Sequence, residues 1–329
     1  MKCARFYGIH DIRPEEIDKP VCGGKEVLIK VAYAGICGSD LHIYNKGMFI
    51  QNIPETMGHE FVGVVEEIGS GVAEYQPGDY VTADPMVPCG HCISCQNGSY
   101  NTCEELGFIG EVRPGCFAEY IVMPEEKLIP VPKASNLRSM ALTEPLAVAL
   151  HICERAQFRA DDRIAVIGAG PIGLLTIIVA KSIYGVQDIT AVDISDARLE
   201  LAGAAGAADV TKHLEEDRLF DKVIEAAGNP HTLKLAAEHV MPNGKLYVVS
   251  IFEEKTELDI NRLVASQITL IGCNVYTRED LIRAVKAISE GEVEVDPLIS
   301  GEFDLTQCAE AFRILSSKNK NAAKILFKM

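Results

Sequence analysis

The segment Arg163-Ile-Ala-Val-Ile-Gly-Ala-Gly-Pro-Ile-Gly173 constrains the chain more than any other. An apolar run, RIAVI, passes into three glycines spaced G-x-G-x-x-G, and the glycines open into PIGLLTIIVAKSIYG, which has helical texture. A strand that turns at once into a helix belongs to a parallel sheet flanked by helices. Gly168 permits the tight turn, Gly170 lets the backbone approach a pyrophosphate, and Gly173 lets helix and strand pack closely. The helix that starts at Pro171 offers free N–H groups, from Ile172 on, and a partial positive charge to phosphates. Asp193 ends the next apolar strand, twenty residues beyond Gly173. A carboxylate at that distance accepts the ribose hydroxyls of NAD. Arg198 competes with this reading, since a cation there would serve a 2′-phosphate. A surface helix position, or one against the adenine, is preferred for it, because Asp193 repels a phosphate.

The rest of the chain divides into two textures. Over residues 1–135 short strands follow one another between turn signals: Lys25–Ala34, Glu60–Ile68, Asp79–Ala83 and Phe117–Met123, punctuated by Ser70-Gly71 and Pro77-Gly78. Such a series predicts a curled antiparallel sheet or barrel. From residue 136 helices enter. Asn136–Thr143 is the first, and Pro145 suits the first turn of a second running to Ala156. Apolar strands then alternate with helices: Arg163–Ile167, Asp188–Asp193, Lys222–Ala226, Lys245–Ile251 and Ile268–Gly272. These largely lack a polar alternation, as strands buried on both faces do. The tail is expected to form helices at Arg278–Ser289 and Leu305–Ser316 and a strand at Ala323–Phe327. The fold class is therefore α/β, a β-rich domain joined to a doubly wound parallel sheet.

Composition excludes several functions. The net charge of −16 repels a nucleic-acid backbone, and no basic block offsets it. No apolar run reaches the length of a membrane span. The N-terminus MKCARFYGIHDIRPEE has no apolar signal core, so a cytoplasmic location is expected. Eleven cysteines without an export signal favour reduced thiols and metal ligands.

Four of those cysteines, Cys89, Cys92, Cys95 and Cys103, crowd into fifteen residues as C-x2-C-x2-C-x7-C. The last spacing is wrong for the C-x2-C-x2-C-x3-C-P iron–sulfur run. Four thiolates with no spare position form a closed tetrahedral zinc site, which is structural because it cannot admit substrate. The site clasps a lobe, residues 88–104, that has few apolar residues of its own. Two other pieces carry chemistry: Cys37-Gly-Ser-Asp-Leu-His42 and Gly58-His59-Glu60. Thiolate plus imidazole is a borderline-soft pair that suits zinc.

The segments AGICGSDLH, MGHEFVGVVEEIG, QPGDYV, the four-cysteine lobe, GCFAEYIV, LTEPLAVALH, GAGPIG and AVDISDARLELA occur in that order across most of the chain. Together they resemble the zinc-containing medium-chain alcohol dehydrogenases, nearest to the polyol (sorbitol-like) and threonine dehydrogenase branches. The resemblance implies a GroES-like catalytic domain over residues 1–145 and 276–329 and a Rossmann NAD-binding domain over residues 146–275. It also implies two zinc ions per chain, one catalytic and one structural, with NAD as cofactor. Cys37 and His59 are implied ligands of the catalytic zinc, with Glu60 and Glu144 as further ligands or water-mediated partners that exchange. His59 and Glu60 are adjacent, and strand neighbours point to opposite faces, so both reach one metal only if the backbone bends, with Gly58 the candidate. Glu144 precedes Pro145, which disfavours helical geometry there and would aim the carboxylate across a cleft. Ser39 and His42 carry the substrate proton away, in the resemblance's terms.

The implied reaction is oxidation of a secondary alcohol of a polyol or sugar derivative. Threonine, butanediol-type and sugar-acid dehydrogenases are the alternatives, since Arg113-Pro-Gly-Cys-Phe-Ala-Glu-Tyr120 looks like the threonine branch and LTEPLAVALH like the polyol branch. A nucleotide-binding protein without turnover is the reading outside enzymes, and Cys37, Ser39, His42 and His59 argue against it. A homodimer or homotetramer is expected. In the resembling family the last parallel strand pairs with its twin across a two-fold axis, and the matching segment QITLIGCN, Gln267–Asn274, is apolar and uncharged. The competing expectation covers this strand with the chain's own tail, 278–329.

Overall fold

Five parallel neighbours flow from the glycine-rich turn. In the computed structural model, which describes residues 1–317 and 322–329, Arg163–Ile167 sits in a six-stranded sheet. The order is Asp209–Thr211, Asp188–Val192, Arg163–Ile167, Phe220–Glu225, Val240–Val248, Thr269–Gly272, and every pair is parallel. The sequence enters at the middle and winds outward to both edges, which is the doubly wound arrangement and leaves a crevice at the carboxyl ends of the central strands. Ile164, Ala165, Val166 and Ile167 are all buried, so this strand is covered on both faces. Helices Pro171–Ser182 and Thr143–Ala156 pack against each other on one side, and Arg278–Ser289 packs on Thr143–Ala156.

The N-terminal texture folds as expected into a largely antiparallel, seven-stranded sheet. Its order is Leu128–Val131, Tyr80–Ala83, Glu60–Ile68, Glu26–Gly35, Lys324–Lys328, Ile299–Phe303, with Tyr120–Pro124 also pairing Glu26–Gly35. Ile299–Phe303 and Lys324–Lys328 pair in parallel, and the latter runs antiparallel to Glu26–Gly35. The tail thus returns to complete the first sheet rather than extend the second. That return carries Lys324 into the space beside Glu60.

Several boundaries differ from the sequence reading. The strand expected at Lys245–Ile251 starts earlier and stops at Val248, so residues after it form a loop over the crevice. Asn136–Thr143 is helical only over Leu137–Met140, with Asn136 as its cap. Glu144 is not displaced from helical geometry by Pro145: it lies in the first turn of Thr143–Ala156. A first turn has no N–H to lose to the proline ring, which is why the helix tolerates proline there. The expectation that the tail covers the strand 269–272 is not met, because Leu270 stays 45% exposed.

Candidate active site and its two thiolate clusters

Gly58 takes φ +93°, a left-handed conformation that L side chains rarely adopt, and a Cβ there would stand 2.3 Å from the Phe117 ring. The strand begins only at Glu60. His59 is therefore free of the strand's alternation, and the ligand atoms of Cys37, His59 and Glu60 lie within 4.8 Å of one another. Cys37 comes from the end of the neighbouring strand, where it caps helix Gly38–Lys46 and donates its backbone N–H to Asp40 Oδ2 at 2.8 Å. Glu144 does not join this group. Its Oε1 accepts a hydrogen bond from Tyr276 Oη at 2.9 Å.

Electrostatics describe a buried pocket rich in acids. Burial raises Asp40 to about 6 and Glu144 to about 7, the latter opposed by His59. Burial works against the charged ring of His59, but the Cys37 thiolate, Asp40 and Glu144 together raise it well above the usual histidine range. Among the charged groups named here the one lysine is Lys324, 2% exposed, whose Nζ donates to Glu60 Oε1 at 2.6 Å and to the Ile36 carbonyl at 3.0 Å. His59 Nδ1 is buried without a hydrogen-bond partner. A thiolate, an imidazole with an unpartnered nitrogen and a carboxylate, set among further acids, fit a divalent cation of borderline softness, and zinc is that cation.

The second cluster is the four-cysteine lobe. The sulfurs of Cys89, Cys92, Cys95 and Cys103 lie within 4.8 Å of one another. Backbone N–H groups of Cys89 and Glu105 donate to Cys103 Sγ at 3.3 and 3.4 Å, and that of Cys92 to Cys89 Sγ at 3.4 Å. N–H groups of Cys95 and Glu104 lower the Cys92 thiol, while burial raises that of its neighbour Cys95. Donors aimed at sulfur favour the thiolate, the form that binds metal. All four positions are protein sulfur, so the site is closed.

The glycine turn is as tight as its spacing requires. A Cβ on Gly173 would stand 1.9 Å from the Gly168 carbonyl, and Gly168 itself takes φ +102°. Gly170 meets nothing nearer than Arg198 Nη1 at 4.0 Å, so its face stays open to a ligand. Asp193, one residue past the strand, accepts the N–H groups of Ala169 and Ser195, both at 2.9 Å, and has Arg198 Nη1 at 3.8 Å. It is thereby held at the lip of the turn. Gly170, Pro171 and Ile172 share a cavity of about 620 Å³ with Cys37, Ser39, His42, Glu60 and Lys324. The nucleotide crevice and the cation cluster are one space. The Ser39 hydroxyl is buried without a partner.

Three residues escaped the sequence reading: Lys324 and Tyr276, which pair with Glu60 and Glu144, and Glu253, which like Lys324 lines this cavity. Each meets its partner across a separation of 264, 132 and 211 positions respectively. No local spacing marks them.

Two family models match the chain, the alcohol dehydrogenase GroES-like domain over residues 23–133 and the zinc-binding dehydrogenase over residues 171–290. The chain is 36% identical over 350 residues to the (R,R)-butanediol dehydrogenase of Bacillus subtilis (strain 168), covering 99% of each. It is 31% identical over 337 residues to the sorbitol dehydrogenase of the same strain, covering 97% of this chain and 95% of that one. A solved structure from E. coli CFT073, described as a short chain alcohol dehydrogenase (rspB) complexed with NADH, matches with a TM-score of 0.93 at 29% identity, covering 100% of this chain and 99% of that chain. Matched from end to end by dehydrogenases, and with its nucleotide crevice opening onto a zinc-type ligand cluster, the chain belongs to the zinc-binding medium-chain alcohol dehydrogenase family.

Proposed function

We propose that the enzyme oxidises a secondary alcohol of a polyol or sugar derivative with NAD as hydride acceptor. The observation that carries this is the shared cavity: an unpartnered Ser39 hydroxyl beside Cys37, in the same space as the glycine turn. Cys37, His59 and Glu60 hold the catalytic zinc, and Glu144 is the carboxylate that exchanges with Glu60. Cys89, Cys92, Cys95 and Cys103 hold the structural zinc. When bound, the catalytic zinc favours the deprotonated alcohol and the nicotinamide takes the hydride. The chain's own work is placement and proton removal. Ser39 accepts the substrate proton and His42 passes it on, an imidazole being suited to this near neutral pH.

Gly168, Gly170 and Gly173, with the helix start at Pro171 and Ile172, cradle the pyrophosphate. Asp193 binds the adenosine ribose and Arg198 lies against the adenine. The boundaries 1–145 with 276–329, and 146–275, are proposed as those of the catalytic and nucleotide domains. The cytoplasm, where thiols stay reduced, is the proposed place of action. No helix among the described residues is long and apolar enough to cross a membrane.

A butanediol-type substrate is the second reading, favoured by the 36% identity to a butanediol dehydrogenase. Initial rates of NADH formation across polyols, butanediol, threonine and sugar phosphates separate these. The expected result is highest kcat/KM with a polyol. A clear preference for threonine, or no NADH from any alcohol, overturns the proposal.

A further inference from the structure

His42 and Glu253 meet across the cavity. His42 lies on helix Gly38–Lys46, beside the cation cluster, and Glu253 on the loop after strand Val240–Val248 of the parallel sheet. His42 Nδ1 is 2.8 Å from Glu253 Oε1, and both residues line the cavity that holds Ser39 and the glycine turn. Their side chains are 26% and 40% exposed. A contact so exposed adds little to stability, so stability does not account for one that joins the two sheets. The contact does decide the ring's tautomer. An ionised carboxylate only accepts, so the nitrogen facing it carries hydrogen and Nε2 keeps the lone pair. Phe49 meets the ring edge-on, with centroids 6.5 Å apart. The other charged groups in the cavity are Glu254 on the same loop, Cys37, and the Glu60–Lys324 pair; Lys46 stands one turn further along the histidine's own helix.

We propose that Glu253 is a positioning residue for His42, holding the imidazole with Nε2 as its acceptor so that a proton relay is assembled from both halves of the chain. The inference rests on the relay reading of Ser39 and His42. The alcohol gives up a hydride, with two electrons, to the nicotinamide and a proton from its hydroxyl. Ser39 Oγ takes that proton as its own passes to His42 Nε2. The imidazolium, its Nδ1–H still held by the Glu253 carboxylate, then releases the Nε2 proton to water at the exposed side of the ring, which restores the starting tautomer. One proton enters and one leaves, and Glu253 is unchanged at the end.

The test uses zinc-loaded enzyme in five forms: wild type, E253A, E253Q, H42A and the H42A/E253A double variant. A correctly placed proton acceptor contributes about 10²–10⁴-fold, and loss of its alignment is expected to cost about tenfold of that in kcat for E253A. KM for NAD should stay within about twofold, since the proposal gives Glu253 no cofactor contact. Formate should restore part of the lost E253A rate, and the double variant should be no slower than H42A. E253Q, whose amide oxygen still accepts from Nδ1, should keep most of the wild-type rate. A readout independent of turnover is the ¹⁵N spectrum of the His42 ring, expected to show Nδ1–H in wild type and a tautomer mixture in E253A.

A wild-type kcat for H42A overturns the relay reading and the inference with it. A slow H42A beside a fully active E253A overturns the inference alone. So does an E253A change that further slows H42A, a raised KM for NAD with kcat intact, an E253Q as slow as E253A, or an unaltered ring tautomer.

Discussion

Glu60 and Lys324 are the pair on which the cation cluster rests at the scale of single residues. Both are essentially excluded from water. Removing one partner of such a pair leaves an uncompensated buried charge. In the zinc-free protein Lys324→Met is therefore expected to cost about 3–5 kcal/mol of stability, read as a lower denaturation midpoint. Adding Glu60→Gln to Lys324→Met should recover part of that loss; a variant as stable as wild type would place the Lys324 charge elsewhere. Asp193 carries the second prediction at this scale. Its carboxylate, fixed by two backbone N–H groups, meets a 2′-phosphate with like charge, so kcat/KM is expected to favour NAD over NADP. Equal efficiency would promote Arg198 to a phosphate ligand. The motif residues were legible because the G-x-G-x-x-G turn demands glycine at fixed offsets. Lys324 was not, because a lysine near a C-terminus looks like any solvated charge until the strand that holds it is placed.

The lobe is the element whose stability depends most on metal. Its helical pieces, Ile93–Gln96 and Tyr100–Thr102, are each about one turn, and Ile93 is 67% exposed. Helices that short do not hold themselves in water. Cys92→Ser is expected to lower zinc content from two ions to one and to lower the melting temperature, because three thiolates leave an open, strained site. Cys37→Ser should remove the other zinc and abolish turnover while leaving the lobe folded. Metal analysis of the two variants beside circular dichroism checks both halves, and a wild-type protein with one zinc and full activity would contradict them. The spacing of the four cysteines announced this element. The start of helix Thr143–Ala156 at Pro145 was legible too, but the geometry of Glu144 was not, since the steric bias before proline is a local preference and helix packing against two neighbours outweighs it.

At the scale of the molecule, strand Thr269–Gly272 is the open edge of the six-stranded sheet. Leu270 is 45% exposed, and Ile260 and Val264, on the helix just before it, are 61% and 71% exposed. An uncharged, proline-free edge beside exposed aliphatic side chains invites pairing with a second copy, and two-fold symmetry makes each edge its own partner. The enzyme is expected to be a dimer, or a tetramer of such dimers, by light scattering at micromolar concentration. Leu270→Lys should yield monomers. A monomeric wild type, or a dimer that survives Leu270→Lys, removes this interface.

The sequence by itself determined what depends on short-range geometry. The two sheet types, the glycine turn with Asp193 at its lip, and the four-thiolate clasp all follow from periodicity, backbone freedom and ligand spacing. Those signals act within about twenty residues. The tertiary structure alone decided which distant side chains meet. It gathered the ligand atoms of Cys37, His59 and Glu60, brought Lys324 back on the last strand to balance the acids, and laid Glu253 against His42. Contacts between residues more than a hundred positions apart are fixed by how sheets pair and stack, and no local pattern encodes that.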